Sequence, residues 1–133
     1  MPAYAVDLLA RELGALDGRA ILILGVAYRG GVKEAAFSGA AALRDELRVR
    51  GARPLASDPL YSDAELEAAG YEPWGGADVA GAIVQADHEQ YRALRPGAVG
   101  GAGVVVDGRG VLDVEAFAAA GVLVRRIGRP AGR

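Results

Sequence analysis

The chain has 133 residues, enough for one compact domain and too few for two, since domains most often run to ~100–150 residues. It is 52% hydrophobic but only 6% aromatic, so its core must be built from Ala, Val, Leu and Ile, which suits a layered α/β fold better than a β-sandwich. A formal net charge of −2 without a basic cluster speaks against a nucleic-acid partner, and the lack of any cysteine excludes disulfides, thiolate zinc sites and a cysteine nucleophile within these residues.

From Pro2 to Leu13 the apolar residues Val6, Leu9 and Leu13 recur at helical spacing and Gly14 follows as a stop, which predicts an amphipathic lead-in helix. The run Ala20-Ile21-Leu22-Ile23-Leu24 predicts the first strand. A loop opens at Gly25, and a helix is expected from an N-cap at Ser38, with Leu43 and Leu47 inward, Arg44 to Arg50 forming a solvated charged face, and Gly51 as its end. Arg53 to Ser57 then closes a βαβ unit. Ser62 caps a short helix through Ala69, the stretch Pro73-Trp74-Gly75-Gly76 reads as a turn with Trp74 as a local packing anchor, Ala82 to Gln85 as a buried strand, and Glu89 to Leu94 as a short helix. Gly103 to Val106 as strand, Asp107 to Gly110 as turn, Val114 to Ala120 as helix and Val122 to Val124 as the last strand complete the pattern. The expected fold is α/β: a doubly wound, mostly parallel, Rossmann-like sheet of about five or six strands preceded by one helix.

No apolar run approaches the ~18–20 residues that span a bilayer, and the amino terminus lacks a basic segment followed by an apolar one; a cytoplasmic protein without membrane contact is the expectation. The segment after the first strand carries the strongest functional signal. A βα loop ordinarily takes ~2–6 residues, and the dozen or so here, rich in glycine and placed where parallel sheets bind ligands, point to binding. The loop is no phosphate loop of the Walker type, since no Lys-Ser or Lys-Thr follows Gly31, and no Gly-x-Gly-x-x-Gly, since Ala27 stands at the third position. The cluster Gly97, Gly100, Gly101, Gly103 precedes a strand instead of following one. His88 is the single histidine, so no metal-ligand spacing exists.

Five ordered motifs, Gly25-Val26-Ala27-Tyr28-Arg29-x-Gly31 with Ser38, Ser57-Asp58-Pro59, Ala86-Asp87-His88-x-x-Tyr91, Val106-Asp107-Gly108-Arg109-x-Val111-Leu112-Asp113 and Ile127-Gly128-Arg129, resemble the C-terminal domain of the UDP-glucose/GDP-mannose dehydrogenase family. The resemblance covers residues 19–129; residues 1–18 look like the end of that family's central helical region, and residues 130–133 are a tail. It implies the nucleotide-sugar-binding part of a UDP-sugar 6-dehydrogenase, which oxidises a UDP- or GDP-sugar to the uronic acid with NAD, while an N-terminal NAD-binding domain and a central domain carry the cofactor, a thioester-forming Cys and a catalytic Lys. This chain then contributes no catalytic residue and no metal ligand, binds no cofactor tightly, and is not expected to turn over substrate alone; a homodimer is possible through the central region. The resemblance assigns Tyr28, Arg29, Gly31 and Arg109 to the nucleotide sugar, with Arg29 in place of the family's Lys, and Glu34 and Ser38 to the cofactor side. Arg29 and Arg109, each following a strand, would meet over a diphosphate at the sheet's carboxyl edge.

The first motif departs from the family at Lys33, Ala36 and Gly39, which lose an acid, an Arg and a Pro. The alternative reading is therefore a non-catalytic nucleotide-binding or interaction module with a degenerate pocket. Three further residues carry two readings each. Asp58 stands at a ribose-binding position or opens an Asp-Pro turn, His88 is a packing residue at a helix start or a base, and Arg109 is a ligand contact or an exposed turn residue.

Overall fold

The computed structural model describes residues 2–27, 31 and 39–127. Helix α1 (Pro2–Leu13) leads into β1 (Ala20–Leu24), α2 (Ala40–Val49), β2 (Arg53–Ser57), α3 (Asp63–Ala68), β3 (Glu72–Pro73), β4 (Gly81–Val84), β5 (Val104–Asp107), α4 (Val114–Ala119) and β6 (Leu123–Arg126). Between β4 and β5 the chain makes two 3₁₀ turns, Glu89–Ala93 and Pro96–Ala98. The strands form one six-stranded sheet in the order β3-β2-β1-β4-β5-β6, and every neighbouring pair is parallel. That order reverses direction between β1 and β4, which is where open α/β sheets leave a crevice.

Side-chain alternation along the strands divides the core in two. Ile21 and Ile23 of β1, with Ala56, Ile83, Val104 and Val106, face α1, α2 and α3. Leu22 and Leu24, with Leu55, Ala82, Val84 and Val105, face α4 and the 3₁₀ turns, where Phe117 and Tyr91 are buried. Both faces are covered, so the middle strands are apolar throughout, as a parallel sheet requires. α1 packs against α2, β4 and β5, burying Ala5, Val6, Leu8 and Leu9, and fills the part of its face that no crossover helix reaches.

The elements agree with the sequence reading except in detail. α2 starts after Gly39, the residue beyond the expected Ser38 cap, and Gly39 offers no side-chain cap. Its charged face is not simply solvated: Arg44 donates to the Gly70 carbonyl and lies 5.1 Å over the Tyr71 ring, and Arg50 joins Asp7 of α1 to Glu46. The two-residue β3 and the turn at Pro96–Ala98 went unforeseen. Ser62 forms a full capping box with Glu65, and Trp74 donates to the Ala77 carbonyl while packing on the core. None of the described helices is long and apolar enough to cross a membrane.

Candidate functional site at the carboxyl rim

Strand register places Ser57, Leu24, Val84, Asp107 and Arg126 side by side, so the loops after β2, β1, β4 and β5 leave from one rim. After Leu24 the chain turns at Gly25, with φ of +95°. A Cβ on Gly25 would come within 2.6 Å of the Ala86 Cβ, so the chains leaving β1 and β4 can lie this close only with glycine here.

What holds the turn is a set of polar groups from the neighbouring loops. The Val26 and Ala27 N–H groups donate to Asp58 Oδ2 at 2.8 and 3.2 Å, and the Gln85 amide nitrogen donates to the Gly25 and Ala27 carbonyls at 2.9 and 3.1 Å. Asp58 Oδ1 accepts from the Leu60 N–H at 2.8 Å. Asp58 therefore does open the turn after β2, and its other oxygen is committed to the β1 loop, so the ribose reading is not the one the geometry favours. His88 is fully buried. Its Nδ1 accepts the Gly31 N–H at 3.0 Å, which leaves the ring proton on Nε2 to be donated to Asp58 Oδ2 at 2.9 Å. It also precedes the 3₁₀ turn that starts at Glu89, the packing role expected for it. Tyr91 stands edge-on to the imidazole, 5.5 Å between centroids, and burial followed by the nearby Asp58 charge holds its phenol well above the ordinary tyrosine range.

The loop after β5 is built by a second buried carboxylate. Asp107 Oδ1 accepts from the Arg109 and Gly110 N–H groups and Oδ2 from Leu112, which folds Asp107 to Gly110 into a tight turn. The turn carries Arg109 outward to the rim, where its guanidinium lies 3.7 Å from Asp87 with 37% of the side chain exposed. Gly108 packs against β4, where a Cβ would meet the Val84 carbonyl at 2.8 Å.

A cleft of about 160 Å³ opens between these loops, lined by Gly39, Leu43, Gln85, Gly108 and Arg109 among others. It is smaller than the ~300 Å³ at which whole-ligand pockets begin, and apart from Gln85 and Arg109 its described walls are glycine or apolar, with Ala5, Ile83, Val84 and Ile127 completing the lining. The amino end of α2 borders it at Gly39, which brings the positive end of that helix's dipole to the same cleft as the guanidinium. Of the residues expected at the site, Arg109 lies on the cleft and Gly31 is fastened to His88. Tyr28, Arg29, Glu34 and Ser38 lie outside the described residues, so the meeting of Arg29 with Arg109 does too. Sequence reasoning missed the roles of Gln85 and Asp107. Asp107 was visible as the start of an Asp-Gly turn, whereas nothing near Gln85 in sequence announces bonds to residues some 60 positions away. Among the described residues no cluster of three or more His, Cys, Asp or Glu could hold a metal ion.

Residues 22–114 match the family model described as UDP-glucose/GDP-mannose dehydrogenase family, UDP binding domain. Among solved structures, a UDP-glucose dehydrogenase from Pyrobaculum islandicum is 28% identical with a TM-score of 0.73, over 93% of this chain and 28% of that one. An NDP-N-acetyl-D-galactosaminuronic acid dehydrogenase from Methanosarcina mazei Go1 shares the fold at a TM-score of 0.75 and 22% identity, over 96% of this chain and 29% of its own. A UDP-D-ManNAc dehydrogenase from Pyrococcus horikoshii does so at 0.72 and 23%, over 96% and 31%. The chain thus spans less than a third of the length of these enzymes. No curated protein matches it. The family match across most of the sheet, on a fold shared with nucleotide-sugar dehydrogenases, establishes that this chain belongs to the UDP-glucose/GDP-mannose dehydrogenase family, as its UDP-binding domain.

Proposed function

We propose that the chain holds the nucleotide sugar for an NAD-dependent UDP-sugar 6-dehydrogenase, whose NAD-binding and central domains supply the chemistry and for which residues 1–18 end the central region. The observation that carries this reading is Arg109, set by the buried Asp107 turn on a cleft that the amino end of α2 also borders. A guanidinium and a helix amino end on one cleft favour a diphosphate, the part common to UDP- and GDP-sugars. Tyr28, Arg29 and Gly31 complete the substrate side in this reading, and Glu34 and Ser38 face the cofactor of the parent enzyme.

This chain does not itself fit NAD. Its first βα turn lacks the glycine spacing of a pyrophosphate turn, and Asp58 has its oxygens committed to protein N–H groups. Nor does it hold a cysteine for covalent oxidation, so its part is binding and orientation. In the cell it is proposed to work in the cytoplasm, with a homodimer of the parent enzyme possible. The loss of an Arg at Ala36 favours one alternative, a non-catalytic module that still binds nucleotide. Titration calorimetry with UDP, GDP and NAD⁺ tests the reading: heat is expected with UDP and lost in Arg29→Ala, and heat with NAD⁺ but not UDP would reverse the assignment.

A further inference from the structure

Two polar side chains are buried in the loops that follow β2 and β4. Asp58 is 4% exposed and His88 is 0% exposed, and their hydrogen bonds converge on the loop after β1. Burying such groups is costly unless they are satisfied, and here the satisfaction comes from backbone N–H groups on both sides of one short segment. Ala27 and Val26 are tied to the carboxylate, Gly31 to the imidazole, and carboxylate and imidazole to each other. Arg29 stands midway between Ala27 and Gly31 in the sequence. The pair itself comes from two loops on opposite sides of β1, so three rim loops meet in it. Tyr91 packs edge-on against the ring.

We propose that His88 is a positioning residue for nucleotide binding: with Asp58 it forms a buried post that pins the β1 loop at Ala27 and Gly31. The role rests on the nucleotide-binding reading above. It is not that of a proton acceptor for substrate, because both ring nitrogens are engaged within the protein and the side chain has no exposure.

Two amide replacements separate the two bonds of the ring. In His88→Asn the carboxamide oxygen sits near the former Nδ1 and can still accept from Gly31, while the reach to Asp58 is lost. In His88→Gln the amide nitrogen reaches Asp58 and the acceptor for Gly31 is lost. UDP affinity measured by calorimetry on the whole chain is expected to fall about five- to tenfold in His88→Gln and to stay within about threefold in His88→Asn, the loss of one positioned hydrogen bond. Both variants are to be checked by urea unfolding, and hydrogen exchange at the Gly31 amide should be slow in the parent chain and in His88→Asn but fast in His88→Gln. Because the chain has one histidine, its imidazole ¹⁵N spectrum reads a single ring, with the proton expected on Nε2. Equal UDP affinities in the two variants with a protected Gly31 amide would overturn the positioning role alone. A proton on Nδ1, or a Gly31 amide unprotected in the parent chain, would overturn the post. A parent chain that takes up no UDP would overturn both the nucleotide reading and the positioning role.

Discussion

At Gly25 a left-handed backbone and a close neighbour act together. A side chain there must accept φ of +95° and displace Ala86, so Gly25→Ala is expected to destabilise the chain by about 2–4 kcal/mol in urea unfolding, the sum of a left-handed penalty and an overpacking penalty. A loss below about 0.5 kcal/mol, the range of ordinary surface changes, would mean that the β1 and β4 exits are not in contact as described. Arg109 is the opposite case. Its side chain is partly exposed and its contact with Asp87 is long at 3.7 Å, so Arg109→Ala should shift stability by no more than about 1 kcal/mol while weakening UDP about tenfold or more. The sequence showed where Arg109 and Asp58 stand but left two readings for each. For Asp58 the turn reading follows from contacts between loops far apart in the chain, such as the 31 positions from Ala27 to Asp58, and no local pattern reports those.

The helices and strands were the most legible level, because each is set by local rules. The apolar run of β1, the capping box at Ser62 and the glycine after α2 are all written in consecutive residues. β3 is two residues long and exists only because Glu72 and Pro73 lie beside Leu55 and Ala56, so no period could reveal it. The charged face of α2 shows the same limit, since Arg50 looks like a solvent residue until α1 brings Asp7 to 2.6 Å. Arg50→Ala should cost about 0.5–1 kcal/mol, and the cost should shrink as salt is raised in parallel urea titrations. The 3₁₀ turn after His88 adds a pH dependence. Burial keeps the Tyr91 phenol protonated in the folded chain, so its pKa is raised relative to the unfolded chain. The stability this gives is complete below the unfolded tyrosine pKa of about 10 and declines as pH rises beyond it. Unfolding followed between about pH 9 and 11 should show a shallower decline in Tyr91→Phe, with a remainder from Tyr71, whose pKa burial also raises.

Across the whole molecule, the position of the candidate site follows from strand order. A sheet that runs β3-β2-β1-β4-β5-β6 reverses direction between β1 and β4, and the aligned strand ends put Asp58, Gly25, Gln85 and Gly108 on the same rim. The fold class could be read from alternating strands and helices. The order of the strands, and the use of α1 to cover β4 and β5, depend on burial across the entire sheet and became visible only in three dimensions. Leu9, fully buried in that cover, should cost about 2–5 kcal/mol on replacement by Ala. The most direct test of a nucleotide site on this rim is a titration of the ¹⁵N-labelled chain with UDP, followed by amide chemical shifts. The expected result is a set of changes confined to Gly25–Ala27, Gly31, Gly39, Gln85–Asp87 and Gly108–Arg109. Changes centred instead on Gly97–Gly103 and Gly121, at the amino ends of β5 and β6, would contradict it.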